Sequence, residues 1–275
     1  MIKILDGYHT VDGAGVRLFR VFSNETSKLT DPFLLLDRFG SNDPKDYIKG
    51  FPFHPHRGIE TVTYMFKGDV EHQDNIGNKG IIGPGDIQWM SAGSGIIHQE
   101  MPKGLHGMDG FQLWVNMPSK EKMTAPKYRG IEENQFQSIK KNGIEIKVIA
   151  GEYDDIKGPV KDLIIDVIYL DVTLGKGKSF DYIPKDDYTT FCYVVEGSGN
   201  FLSKKITQNQ LILFRDIDGL HVNADEKLRF LLASGKPLRE AIAWGGPIVM
   251  NTEKELQQAF FELENGTFIK HPKIE

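Results

Sequence analysis

The 275-residue sequence has one cysteine, Cys192, so no intrachain disulfide can form and no thiolate-rich zinc site can be built. A chain that leaves its thiol use at that fits a reducing, cytoplasmic compartment. No run of ~18 or more uncharged apolar residues occurs, so a membrane span is not expected. The opening Met1–Asp6 segment lacks the apolar stretch of a signal peptide. Cations are not in excess: Lys and Arg total 33 against 38 Asp and Glu, for a formal charge of −5 and a pI near 5.9. A surface that grips nucleic acid phosphates directly needs the opposite balance. Docking onto a regulatory protein is not excluded.

Helix patterns are also few. The clearest runs from Asn251 to Phe261, with Asn251 or Thr252 as cap and Gly266 beyond its end. A shorter one is expected from Pro118 to about Met123. The rest consists of short apolar runs rich in β-branched and aromatic residues and separated by glycine turns. Examples are Thr61–Phe66, Phe111–Val115 and Ile164–Leu170. That pattern predicts an all-β protein of the sandwich or barrel type.

A weak internal repeat divides the chain. Tyr64-Met65-Phe66-Lys67-Gly68 returns as Tyr193-Val194-Val195-Glu196-Gly197, and Phe111-Gln112-Leu113 as Phe230-Leu231-Leu232. Gly85-Asp86-Ile87 is matched to Arg215-Asp216-Ile217. Two related β domains are expected, residues 1–130 and 131–275, with the junction in the polar stretch Glu132–Asn142. Carried back through the first match, His54 and His56 fall opposite Ile183 and Lys185. The first half therefore keeps a polar site that the second half has lost.

That site is written in two short segments. In Phe53-His54-Pro55-His56-Arg57-Gly58-Ile59-Glu60, alternate residues of an extended strand share a face, which puts His54 and His56 about 6–7 Å apart along it. Pro55 donates no hydrogen bond and belongs at a strand edge or start. In Gly93-Ser94-Gly95-Ile96-Ile97-His98-Gln99-Glu100, His98 and Glu100 share a face in the same way. A lone His-x-His is commonly a surface pair. A second pair at the same spacing, absent from the partner half, points to three imidazoles and a carboxylate converging on one ion. Such a set suits iron, manganese, nickel, copper(II) or zinc, and a six-coordinate ion would keep two open positions. His72, His106 and His221 have no such partner and are expected at the surface or in the core, although His72 could line the cavity. Phe53, Trp89, Phe111 and Trp114 are candidates to wall a pocket for a flat organic molecule, the bland alternative being ordinary core.

At these residues the sequence resembles the pirin family of the cupin superfamily. The resemblance runs through His54–Val62, Gly83–Met90, Ile97–Pro102 and Leu113–Pro118, and reaches outward to Asp31–Asp37 and Gly246–Thr252. Arg38 departs from the acidic residue expected after Asp37. The resemblance implies two cupin (jelly-roll-like) β-barrels in tandem with a few short helices. It further implies Fe2+ in the N-terminal barrel, held by His54, His56, His98 and Glu100, and a metal-free C-terminal barrel. General cupins place a carboxylate ligand at the position of Glu60; in pirins Glu100 takes that role, so Glu60 is assigned none. Pirins resemble quercetin 2,3-dioxygenases, which open a flavonol with dioxygen and release carbon monoxide, and Glu100 would act there as general base on the substrate hydroxyl. Other pirins act as iron-dependent, redox-sensing partners of a transcription factor or a metabolic enzyme.

Overall fold

The computed structural model describes residues 1–271. Two compact units share the chain, and each is drawn from several segments. One comprises Met1–Tyr8, Leu29–Pro32 and Asn134–Pro237; the other comprises His9–Lys28, Phe33–Glu133 and the chain from Leu238 onward. No helix among the described residues is long and apolar enough to cross a membrane.

The unit that carries the histidine pairs is a sandwich of antiparallel sheets. Its seven-stranded sheet runs Lys127–Ile131, Ile87–Ser91, Ile59–Lys67, Met108–Asn116, Phe33–Ser41, Val16–Phe22, Tyr8–Asp12. Its four-stranded sheet runs Phe51–His56, Ile96–Lys103, Asp69–Asp74, Lys79–Ile82. Val16, Leu18, Phe39, Met65 and Met108 from the larger sheet pack on Val70 and Ile82 from the smaller, forming part of the core. Neither sheet closes on itself, so this unit is an open sandwich and not a closed barrel. A short hairpin, Ala243–Gly245 with Ile248–Met250, leads into the helix Glu253–Glu264. Thr252 and Glu255 close a reciprocal capping box at the helix start, satisfying amides that the first turn would otherwise leave without partners. The helix expected after Pro118 is one 3-10 turn, Ser119–Glu121.

The other unit repeats the plan. Its larger sheet runs Ile2–Leu5, Leu211–Phe214, Thr189–Glu196, Leu228–Gly235, Val167–Leu174, Ile144–Ala150, Ser138–Lys141, and its smaller sheet Ser179–Tyr182, Leu220–Ala224, Ser198–Phe201, Lys204–Thr207. The repeated glycines Gly68 and Gly197 turn the chain at corresponding places with φ of +75° and +78°. At Gly197 a Cβ would stand 2.0 Å from the Lys227 carbonyl oxygen, which admits no other residue.

Strand pairing corrects the repeat in two places. Ile87 pairs with Tyr64 and Leu211 with Tyr193, so Gly85-Asp86 corresponds to Asn209-Gln210 and not to Arg215-Asp216. Asn209 takes the left-handed backbone (φ +66°) that Gly85 takes in the first domain (φ +89°). Counting from the paired glycines, Glu100 stands across from His72 and Val222 across from Phe201. One step along each ladder, His54–His98 matches Tyr182–Leu220, because a bulge between His98 and Glu100 shifts the register by one residue. Tyr182, rather than Ile183, is therefore the counterpart of His54. Tyr182, Leu220, Val222 and Phe201 belong to one buried apolar cluster, so the place of the polar site is filled by core.

Candidate metal centre

His54 and His56 end one strand of the four-stranded sheet, and His98 and Glu100 lie on its neighbour. His98 sits directly across from His54, which brings the two segments' side chains to one place. The ring centroids are 4.4 Å apart for His54–His98, 4.8 Å for His54–His56 and 5.1 Å for His56–His98. Among the described residues these three form a group whose donor atoms all lie within 4.8 Å of one another. Glu100 is outside that group. Its Oε1 accepts a hydrogen bond from Thr63 Oγ1 at 2.8 Å, and it lines the same cavity as His54 and His56.

The hydrogen bonds decide which nitrogen each ring offers. His54 Nδ1 donates to the Pro52 carbonyl at 2.9 Å and His56 Nδ1 to the Pro247 carbonyl at 3.2 Å. Each Nε2 then carries a lone pair, yet these two nitrogens stand 3.0 Å apart. Facing lone pairs repel unless a cation lies between or beside them. His98 Nε2 is buried with no hydrogen-bond partner. An orphaned buried nitrogen is costly by itself and natural in a ligand. Carbonyl partners on the far nitrogens orient imidazoles as metal ligands require. The three imidazoles thus fit a divalent transition metal, with the Glu100 carboxylate in the same cavity.

Electrostatics agree. Burial, with the neighbouring His54 adding to it, pushes His56 well below the ordinary imidazole range; burial and the other imidazoles do the same to His98. Both are neutral at pH 7, the ligating form. Burial raises the Glu100 carboxyl above its ordinary range against the pull of His54 and Thr63.

Strand parity takes Glu60 away from the cavity. Thr63 faces the cavity, so Glu60, three residues earlier on the same strand, faces the other way. There it is fully buried, accepts from Ser91 Oγ, and lies 3.9 Å from Arg129. His72 is buried and engaged elsewhere: its Nε2 and the Tyr128 hydroxyl are hydrogen-bonded at 2.6 Å and their rings stack at 4.8 Å. His106 is exposed, and His221 pairs with Asp181 at 2.6 Å. Of the four aromatics, Phe53 and Trp114 line the cavity, whereas Trp89 and Phe111 are fully buried and not among its lining residues. Trp114 also meets His56 edge-on at 5.2 Å and stacks on Trp244 at 5.9 Å. Trp244 and the Pro247 carbonyl were not foreseen; the only sequence signal was the family-like Gly246–Thr252 segment.

The cavity measures about 580 Å³ and is mostly apolar, with Leu35, Phe39, Val70 and Met108 in its lining. A polar row crosses its floor. Cross-strand pairing places Thr63, Gln112, Asp37 and Arg20 side by side on four neighbouring strands. Thr63 Oγ1 lies 2.8 Å from both Glu100 Oε1 and the Gln112 side-chain oxygen. One hydroxyl proton serves Glu100, so Thr63 accepts from Gln112 if that amide is turned with its nitrogen inward. Arg20 binds Asp37 through Nε and Nη2 at 2.9 and 2.7 Å, and Nη2 also reaches Asp12 at 2.9 Å. Burial lifts the Asp37 carboxyl to about 6 against the pull of Arg20, still ionised at neutral pH. Arg38, the departure noted beside Asp37, points to the opposite face and pairs with Asp109 at 2.9 Å.

Comparison with known proteins matches the pirin family profile to residues 15–115 and the pirin C-terminal cupin domain profile to residues 169–269. A pirin-like protein of Caulobacter vibrioides is 42% identical over 98% of each chain. A Pseudomonas aeruginosa protein provisionally named quercetin 2,3-dioxygenase is 40% identical, over 97% of this chain and 96% of that one. The crystal structure of a quercetin 2,3-dioxygenase from Acinetobacter baumannii superimposes with a TM-score of 0.90 at 34% identity, covering 97% and 96% of the two chains.

Proposed function

The chain belongs to the pirin family, and from that premise we propose that it is a metal-dependent dioxygenase that opens a flavonol-like enol-phenol with dioxygen and releases carbon monoxide. The observation that carries the reading is one apolar cavity of about 580 Å³ whose wall holds His54, His56 and Glu100 beside His98. His54, His56 and His98 are the ligands in this proposal, with Glu100 as the fourth. Iron in the ferrous state is the proposed metal, the same donors also accepting manganese, nickel, copper or zinc. When bound, such an ion supplies Lewis acidity toward an enol oxygen and a site for dioxygen.

The protein's part is positioning and proton transfer. The apolar walls exclude water and hold a flat ring system; Trp114, braced by Trp244, offers it an aromatic face. Glu100 takes the proton of the substrate hydroxyl. The Thr63 hydrogen bond fixes where its oxygen points. The test is to reconstitute metal-free protein anaerobically with ferrous iron, add quercetin and dioxygen, and follow oxygen uptake and carbon monoxide. Uptake that requires iron and disappears in His54→Ala supports the proposal. Stoichiometric iron binding without uptake would refute it and leave a metal-sensing, partner-docking role as the better reading.

A further inference from the structure

The polar row has a far end that the proposed chemistry does not use. Asp37 lies two strand spacings from Thr63, about 10 Å across the floor, and Arg20 one spacing beyond it. Leu35 and Phe39 flank Asp37 on the same face of its strand, and Leu18 flanks Arg20. A buried ion pair in such apolar surroundings adds little net stability, which invites a second role. The hydrogen bonds define that role chemically. Arg20 spends its Nε and Nη2 on Asp37 and Asp12, leaving Nη1 with no protein partner among the described residues. Each carboxylate oxygen of Asp37 accepts one bond from Arg20 and has a second lone pair.

We propose that Arg20 and Asp37 form a hydroxyl-binding subsite that selects substrates carrying a second phenolic hydroxyl, remote from the oxygen seated at the imidazoles, in the same cavity. This rests on the reading of the cavity as a flavonol-type site and adds which members of that class it takes. A hydroxyl matches the subsite because it donates to Asp37 while accepting from Arg20 Nη1. A carboxylate or sulfonate at the same place does not match, since it cannot donate and meets two carboxylates, Asp37 and Asp12, against one guanidinium. Asp12, about half exposed, leaves the subsite open to the mouth of the cavity. The row between the two ends keeps the floor polar from Glu100 to Arg20, so a ligand that bridges them lies along it with its ring faces against the apolar walls.

The experiment measures binding without turnover. Metal-loaded protein is kept free of dioxygen and titrated with 3-hydroxyflavone, 3,4′-dihydroxyflavone and the 4′-carboxylate analogue, following quenching of Trp114 and Trp244. These probes differ only at the position that would reach Arg20 and Asp37, and none has a catechol that could bind the metal backwards. The wild-type protein should bind the 4′-hydroxyl compound about ten-fold more tightly than 3-hydroxyflavone, and the carboxylate less tightly than either. In Arg20→Met/Asp37→Leu, which replaces the pair with apolar groups of similar size, the ten-fold preference should vanish while 3-hydroxyflavone affinity stays. If that variant does not fold, the ranking of the three probes on the wild-type protein still decides. Equal wild-type affinities, or a preference that survives the double substitution, would overturn the subsite and leave the flavonol reading standing. Failure of all three to bind would overturn both.

Discussion

Replacing Arg57 with Met tests how the strand end that presents His56 is held. The Arg57 side chain is 2% exposed. Its Nε donates to the Ser94 carbonyl and its Nη2 to the Phe268 carbonyl, both at 2.7 Å; Nη1 lies 2.8 Å from Glu262. The guanidinium also covers the Phe268 ring at 4.1 Å. Met keeps most of the stem and loses every polar contact, leaving two buried carbonyls short of a donor and Glu262 with Lys270 as its remaining cation at 2.9 Å. Breaking one side of a buried pair costs about 3–5 kcal/mol. The assay is urea unfolding followed by tryptophan fluorescence, because Trp89, Trp114 and Trp244 all lie in the unit that carries the site. With a slope of about 2 kcal/mol per M, the midpoint should fall by roughly 1.5–2.5 M. Acid should narrow the gap. Burial opposes the Glu262 charge, but hydrogen bonds from Lys270, Gln258 and Arg57 outweigh it and hold the group at about 2. A carboxyl depressed in the folded state contributes stability that is present above its unfolded value near 4.3 and is lost as pH falls toward 2. Arg57→Met forgoes part of that contribution, so wild type and variant should converge between pH 4 and pH 2. A midpoint shift below about 0.5 M, or a gap that widens in acid, would refute the reasoning.

Two other perturbations follow from packing. Gly58→Ala places a Cβ 2.1 Å from the Val249 carbonyl oxygen at a backbone φ of +78°; the same fluorescence melt should show a loss of roughly 3 kcal/mol or more, and a neutral effect would contradict the close approach. Cys192 is fully buried in the other unit, and burial pushes its thiol well above the ordinary range. A thiol reagent should therefore label it only when that unit unfolds, so complete labelling within minutes of native protein would count against the core described.

Much of the site could be read from the sequence because a strand repeats every two residues. His54 and His56, and His98 and Glu100, needed only that period to be assigned to common faces. What could not be read is register. The bulge between His98 and Glu100 moves the counterpart of His54 from Ile183 to Tyr182, and no residue in the sequence announces it. The match of Asp86 with Asp216 was an accident of identity: the backbone conformation of Gly85 is supplied in the other domain by Asn209, a substitution that local sequence comparison hides. Trp89 and Phe111 were plausible cavity walls until pairing with Val62 and Arg38 put them on the opposite face from Thr63 and Asp37. Pro247 and Trp244 are remote in sequence from the histidines they support, and only the tertiary structure brings them together. The same holds for Ile2–Leu5, which completes the sheet beside Leu211–Phe214 far along the chain.

The central claim is that three imidazoles and Glu100 hold one metal. The direct measurement is anaerobic titration of metal-free protein with ferrous iron and with zinc, read by calorimetry and elemental analysis, for the wild type, His98→Ala and Glu100→Gln. The account predicts stoichiometric binding by the wild type, near-complete loss in His98→Ala, weakened binding in Glu100→Gln, and no second site in the domain where Tyr182, Leu220 and Val222 fill the corresponding place. Undiminished binding by His98→Ala would contradict it, whatever activity the protein shows.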